Sequence, residues 1–298
     1  MSKMNMTKNK SLTAALSLLF AATLWGVFWY PLRWLETQGV DGLWATLLIY
    51  SGTCIYFIPH FKQSLNEICL SPMLMLVLAI FAGWTNIAFF LAVIDGEVVR
   101  VLLLFYMSPI WANIFAYFVL KEHLSLRNFL ALIVALAGML IMLWQSDMDY
   151  PWPTNTSDWL ALSSGIAFAV TNVVMRMAQD VSSRTKAIVG WYGVLVISFI
   201  LILILQIEIG QIESKTFLIA FVIGATMVIV MTLAVAYGVS HLPVQQSAVI
   251  LLFEVVVGAV SAYLIIGETM ALREWIGGGL ILSAGLYASF ESGEKENG

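Results

Sequence analysis

Charge is what this sequence has least of. Only 11% of its 298 residues are Asp, Glu, Lys or Arg, against about a quarter in soluble domains. With 61% hydrophobic residues and a mean hydropathy of +0.92, a water-soluble globule is excluded and an all-α polytopic membrane protein is expected. Cysteine is equally sparse: Cys54 in an apolar run and Cys69 in a short loop offer neither a disulfide framework nor metal-ligand spacing. No redox chemistry, metal or cofactor is therefore expected. His60, His123 and His241 fall at the edges of apolar runs without ligand spacing. There is no GxxxxGK[ST], HExxH or GxSxG, which excludes ATP-driven pumping by this chain alone and gives an intramembrane enzyme no obvious machinery. No basic cluster interleaved with aromatics offers a footprint for nucleic acid. The partners expected are the lipid bilayer and a small-molecule solute.

What the chain does have is apolar runs of spanning length, bounded by charge, proline or polar clusters. Ten are predicted, at residues 12–34, 42–60, 72–94, 98–120, 126–145, 157–178, 186–206, 215–238, 244–266 and 273–290. The longest joint, QSDMDYPWPTNT, divides them into a first five-helix unit at 12–145 and a second at 157–290, with 146–156 as an extracytoplasmic linker. Residues 1–11 and 291–298 are read as cytoplasmic ends. With the N-terminus inside, ten of the 14 Lys and Arg residues fall on the cytoplasmic side, Lys186 among them, and Arg33, Arg100, Lys215 and Arg273 fall outside. That bias places both termini in the cytoplasm.

The two halves are related. A shift of 146 residues sets AYFVLKEHLSLR (Ala116 to Arg127) on AYLIIGETMALR (Ala262 to Arg273), with five of twelve positions identical, and pairs Val98 with Val244. A shift of 143 sets Trp25–Arg33 on Phe168–Arg176, both ending in arginine. Five spans per half give the second an inverted orientation. Inverted halves can exchange conformations around a midplane site, which is the architecture of alternating access.

Glu254 is the one carboxylate inside the run Val244 to Ile266. An uncompensated carboxylate at that depth costs about 2.5–3.5 kcal/mol on insertion scales, so it faces a cavity, a partner or a proton. It can carry a proton between two conformations, pair with an ammonium group on a solute, or serve as a hydrogen-bonded packing residue between helices.

The residues around it resemble the drug/metabolite transporter superfamily, in its EamA-type ten-helix branch. Tyr106-Met107-Ser108-Pro109, with an apolar run to Lys121-Glu122, is similar to one half-motif of that family; Leu252-Phe253-Glu254-Val255, with Gly267-Glu268, is similar to the other. Ala137-Gly138 and Ala284-Gly285 match the small pairs of helices 5 and 10, and Trp25-Gly26 and Phe168-Ala169 match the openings of helices 1 and 6. The chain departs from the pattern at Val255, where proline is common, and at Lys121, where glycine is usual. The resemblance implies a secondary transporter of a small metabolite and leans to export, with import left open because a carrier is reversible; a membrane sensor or scaffold, or an intramembrane enzyme, is the remote alternative.

Further site candidates follow from residue type. Arg100 at the outer start of helix 4, the repeat counterpart of Gln246, either attracts a substrate carboxylate or reaches for headgroups. With Glu254 it would offer one group to each end of a zwitterion, hence an amino-acid-like solute; a nucleoside-like metabolite or vitamin, imported or facilitated, is the alternative. Asn86 and Asn172 are the preferred cavity amides, although amides also glue helices together. Trp25, Trp84, Tyr106 and Trp111 are candidate aromatic walls for a ring-bearing solute, and Pro109 the candidate hinge. Glu122, Arg127, Glu268 and Arg273 read as helix caps or local pairs. The run Gly277–Gly279 reads as a close-packing face that could support a weak homodimer, with a monomer as the alternative.

Overall fold

The structure, a computed structural model, describes residues 2–95, 98–122, 125–144, 153–210, 212–267 and 271–289. Ten helical segments follow one another, and no strand occurs among the described residues. α1 is Ser2–Val27 continued by Trp29–Thr37, and α2 is Gly42–Gly52 continued by Cys54–Leu70. α3 is Pro72–Asp95. α4 is Val98–Phe105 and Ser108–Phe115, ending in a π-helical turn at Ala116–Leu120; α5 is Leu126–Leu143. α6 is Thr156–Met177 and α7 Ser183–Leu205. α8 is Ser214–Ile223 and Ile229–His241 around a π-helical turn at Gly224–Val228. α9 is Val244–Leu251 and Phe253–Ile266, and α10 is Leu272–Ser289.

Among the described residues, α1 and α3 to α9 are each long and apolar enough to cross a membrane, and α2 does so as a pair bent by 58°. α2 runs ten residues beyond the predicted end at 60, carrying Pro59 within it. α10 is less apolar, with Arg273 and Glu274 in its first turn and three consecutive glycines, and packs along α5. The outer faces carry exposed Leu, Ile and Phe, for instance Phe118, Leu203 and Leu264, as the hydrocarbon of a bilayer requires. Local sequence sets the helix starts: Asp41, Ser125, Asn155 and Ser182 each cap the following helix by accepting a backbone N–H, satisfying donors that the first turn leaves unpaired.

The packing repeats with the halves exchanged. α3 lies on α6 as α8 lies on α1; α4 lies on α6 as α9 lies on α1; α3 lies on α7 as α8 lies on α2; and α5 pairs with α10, its own counterpart. Two of these crossings are close enough to forbid any side chain. A Cβ at Gly193 of α7 would sit 1.9 Å from the Ala79 carbonyl oxygen of α3, and one at Gly224 of α8 would sit 1.6 Å from the Ile49 carbonyl oxygen of α2. α5 and α10 meet at Gly138 and Gly277. They are tied at one end by the Arg127 guanidinium, 4.5 Å over the Tyr287 ring, and at the other by Arg273 donating to the Trp144 carbonyl (3.1 Å). Gly277 is thus used within the chain, and both arginines join two helices.

At the end of α4, Lys121 takes the left-handed conformation (φ 55°), as does its repeat counterpart Gly267 after α9 (φ 72°). The left-handed region costs an L side chain about 1–2 kcal/mol and glycine almost nothing, while glycine gives back about 0.4–1 kcal/mol of unfolded-state entropy. Lys121→Gly is therefore expected to stabilise the protein by about 0.5–1 kcal/mol, read as a rise in thermal unfolding temperature in detergent. A fall in that temperature would show that the lysine side chain holds something the backbone cost conceals.

Candidate functional site

Pro109 has no N–H to give the Phe105 carbonyl one turn back, and α4 is interrupted at Tyr106 and Met107. α6 packs on the freed group: a Cβ at Gly165 would lie 2.6 Å from the Phe105 oxygen. α9, which has Val255 rather than proline, is interrupted at the single residue Leu252. The two breaks face each other, and Tyr106 Oη donates to Glu254 Oε1 at 3.0 Å. α1 closes over the same turn because Gly26 leaves room there; a Cβ would meet the Glu254 carbonyl oxygen at 2.7 Å. In the first half the repeat shift places Ser108 opposite Glu254, so one half alone carries the carboxyl group.

Around this bond lies a cavity of about 570 Å³ lined by all ten segments. Ten aromatic residues stand in its wall between aliphatic ones, among them Trp25, Trp29, Phe89, Phe105, Phe168 and Trp191. At one end it reaches the exposed Arg33, with Glu274 nearby; at the other it stops at Met175, Ala187 and Ala248, all buried. Asn86 lines it, accepting from Tyr50 Oη (2.9 Å) and donating to the Ala82 carbonyl (3.0 Å). Asn172 lines it too, and its Oδ1 is buried without a partner among the described residues. A carboxyl group between aromatic faces can hold an ammonium group by charge and by cation–π attraction, while the rings give planar apolar groups a surface.

Of the residues expected here from sequence, Glu254, Tyr106, Asn86, Asn172, Trp25 and Pro109 come together on the cavity wall. Trp84, Trp111 and Gln246 do not line it. Trp84 Nε1 donates to Ser163 Oγ at 3.1 Å, joining α3 to α6; Trp111 packs beside Ala112 and Val173 in a small cluster between α4 and α6; Gln246 is buried in the first turn of α9. The side chain of Arg100 lies outside the described residues, so the two-ended arrangement with Glu254 has no described geometry.

Three participants were not visible as such in the sequence. Tyr50 reads as one more aromatic in an apolar run, yet it holds Asn86. Trp191 is one more aromatic in an apolar run, yet it is 1% exposed and lines the cavity. Lys186, counted above as a charge on the cytoplasmic surface, is 1% exposed and donates from Nζ to the Met175 carbonyl (2.7 Å) and Ser240 Oγ (2.9 Å). The signal available was Ser182, whose cap starts α7 at Ser183 and draws Lys186 into its first turn.

The family model described as the EamA-like transporter family matches residues 12–144 and again residues 155–290. The chain belongs to the EamA-like transporter family. Its two matched stretches are the two five-helix halves, and as a family member the protein is an integral membrane transporter. It is similar to a protein from Archaeoglobus fulgidus named as an uncharacterized transporter, 26% identical over 215 residues, covering 72% of this chain and 75% of the relative. A crystal structure of a protein 15% identical in sequence superposes with a TM-score of 0.75, covering 93% of this chain and 98% of the other. That likeness speaks for the fold.

Proposed function

We propose that the chain is a secondary carrier, working by alternating access, that exports an amino acid or amino-acid-like solute with a ring-bearing side chain, driven by protons or a solute gradient and performing no chemistry on its cargo. The observation that carries this reading is the Glu254 carboxyl group, hydrogen-bonded to Tyr106 at the breaks of α4 and α9 and facing a ring-walled cavity. Glu254 takes the ammonium end or the coupling proton; Asn86 and Asn172 orient polar groups of the solute. Pro109 and the Leu252 break supply the hinges. In this reading the protein lies in the inner or plasma membrane with both termini cytoplasmic, residues 12–145 and 157–290 are the repeats, residues 146–156 join them outside, and the cavity opens outward.

The test is binding to the purified protein. A ligand that binds the folded state alone raises stability by about 2.7 kcal/mol at a hundredfold excess over its dissociation constant. Phenylalanine, tyrosine or tryptophan is expected to raise the unfolding temperature in the parent protein, and Glu254→Gln is expected to remove the effect. Stabilisation by nucleosides or vitamins in place of amino acids would replace the solute class. Stabilisation that persists unchanged in Glu254→Gln would take the ammonium group away from Glu254 and leave it only the coupling proton.

A further inference from the structure

The sealed end of the cavity is closed by helix ends that cap one another. α6 and α8 finish there, and each leaves its last carbonyls without partners in its own helix; α9 starts there and leaves its first N–H groups free. Lys186 from α7 donates to the Met175 carbonyl of α6 and to Ser240 Oγ of α8. Arg176 from α6 donates to the Ser240 carbonyl of α8 (3.1 Å) and pairs with Glu122 at the end of α4 (3.1 Å). The other Glu122 oxygen accepts from Val244 N of α9 (3.1 Å). Beside them, Glu67 of α2 accepts from Ser182 N (3.0 Å) and Ser182 Oγ (2.5 Å) at the start of α7. Six of the ten segments meet in this cluster, directly below the residues that form the cavity floor.

A partly exposed ion pair is a weak tie by itself. Here the charged groups are spent on the unpaired ends of neighbouring helices, cations on C-terminal carbonyls and the carboxylate on an N-terminal N–H, as the helix dipoles favour. Every one of these bonds can be exchanged for water once the helices part. That makes the closure firm when packed and cheap to release, the combination a reversible gate requires.

The opposite end is its unlatched counterpart. The 143-residue shift sets Arg33 on Arg176, and Arg33 stands exposed at the cavity rim with no hydrogen bond or ion pair among the described residues. We propose that the Glu122–Arg176–Lys186 cluster is the latch of the sealed end, and that Arg33 takes the corresponding part at its own end when the cavity opens the other way. This inference rests on the alternating-access reading, and not on which solute is carried.

The experiment reads access from each side in the full chain without any solute. In a Cys54→Ser, Cys69→Ser background, Thr232→Cys places one thiol on the cavity wall, and a membrane-impermeant maleimide is applied to vesicles of each orientation. The parent is expected to label fast from the Arg33 side and slowly from the Lys186 side. Glu122→Gln and Lys186→Met are expected to speed labelling from the Lys186 side by about tenfold, the size of shift ordinary for coupling between two states. Arg33→Gln is expected to slow it. Should buried Lys186→Met fail to fold, Glu122→Gln, whose side chain is partly exposed, still decides. Parent labelling from both sides with variants left within twofold of it overturns the latch alone. No labelling from the Lys186 side in any protein overturns alternating access and this inference with it.

Discussion

Glu254→Gln is expected to fold normally and to lose its carrier activity. The side chains have nearly the same volume, and the amide oxygen still accepts the Tyr106 hydroxyl that holds Glu254 Oε1 at 3.0 Å, so the junction between α4 and α9 survives. What disappears is the capacity to hold a negative charge or carry a proton. A solute bound through its ammonium group then loses its counter-charge in a ring-walled site, where charge pairs act in a lower dielectric than water. Loss of a charged hydrogen bond costs about 1.5–3 kcal/mol, tenfold to more than a hundredfold in affinity. If Glu254 instead carries the coupling proton, binding survives and flux no longer responds to a pH gradient. The measurements are solute binding and pH-dependent flux on the same preparation. Unchanged values of both would leave Glu254 a packing residue. Tyr106→Phe separates positioning from charge: it removes one hydrogen bond and keeps the ring, so a loss of about tenfold is expected with the pH response intact.

Gly224→Val is expected to cost the fold itself. The first atom of any side chain there would sit 1.6 Å from the Ile49 carbonyl oxygen, and because that oxygen belongs to the backbone of α2, no rotamer change relieves it. The two helices must separate, opening the gap along the whole crossing. Overpacking in a core costs about 1–3 kcal/mol even where side chains can shift, and membrane helices depend on this kind of contact because lipid gives them no hydrophobic drive to associate. A dispersed, folded Gly224→Val protein should not be obtained, and Gly193→Val should fail in the same way at the mirror-related crossing of α3 and α7. Gly279 is the control, since a Cβ there meets nothing within 4 Å. Gly279→Ala should leave the unfolding temperature within the range of ordinary surface changes, about 0.5 kcal/mol. Equal tolerance at Gly224 and Gly279 would mean the α2–α8 crossing is looser than described.

What could be read from the sequence was what depends on periodicity and on single conspicuous residues. A bilayer imposes a length and an apolar composition on each span, so the segments announce themselves, and a duplicated half leaves its register in matched pairs such as Arg33 with Arg176. Glu254 was legible for the same reason: one carboxylate in hydrocarbon stands out. The orientation of a tryptophan does not. Trp25, Trp84, Trp111 and Trp191 look alike in apolar runs, yet which of them faces the cavity depends on how neighbouring helices rotate, a property of tertiary packing. Lys186 shows the other limit, since a cation near a span boundary reads as a surface charge until carbonyls from α6 and α8 are brought over it. Glu122 went the same way. Its reach to Val244 N crosses more than a hundred residues of chain, and local spacing carries no trace of it.

The most direct test of the central claim is release from proteoliposomes loaded with a mixed pool of amino acids, nucleosides and vitamins, with mass spectrometry of what leaves relative to protein-free vesicles. The account predicts selective, pH-driven loss of ring-bearing amino acids from vesicles holding the parent protein, and no pH-driven loss from vesicles holding Glu254→Gln. Equal leakage through both proteins, or retention of every compound by folded parent protein under pH gradients of either sign, would contradict it.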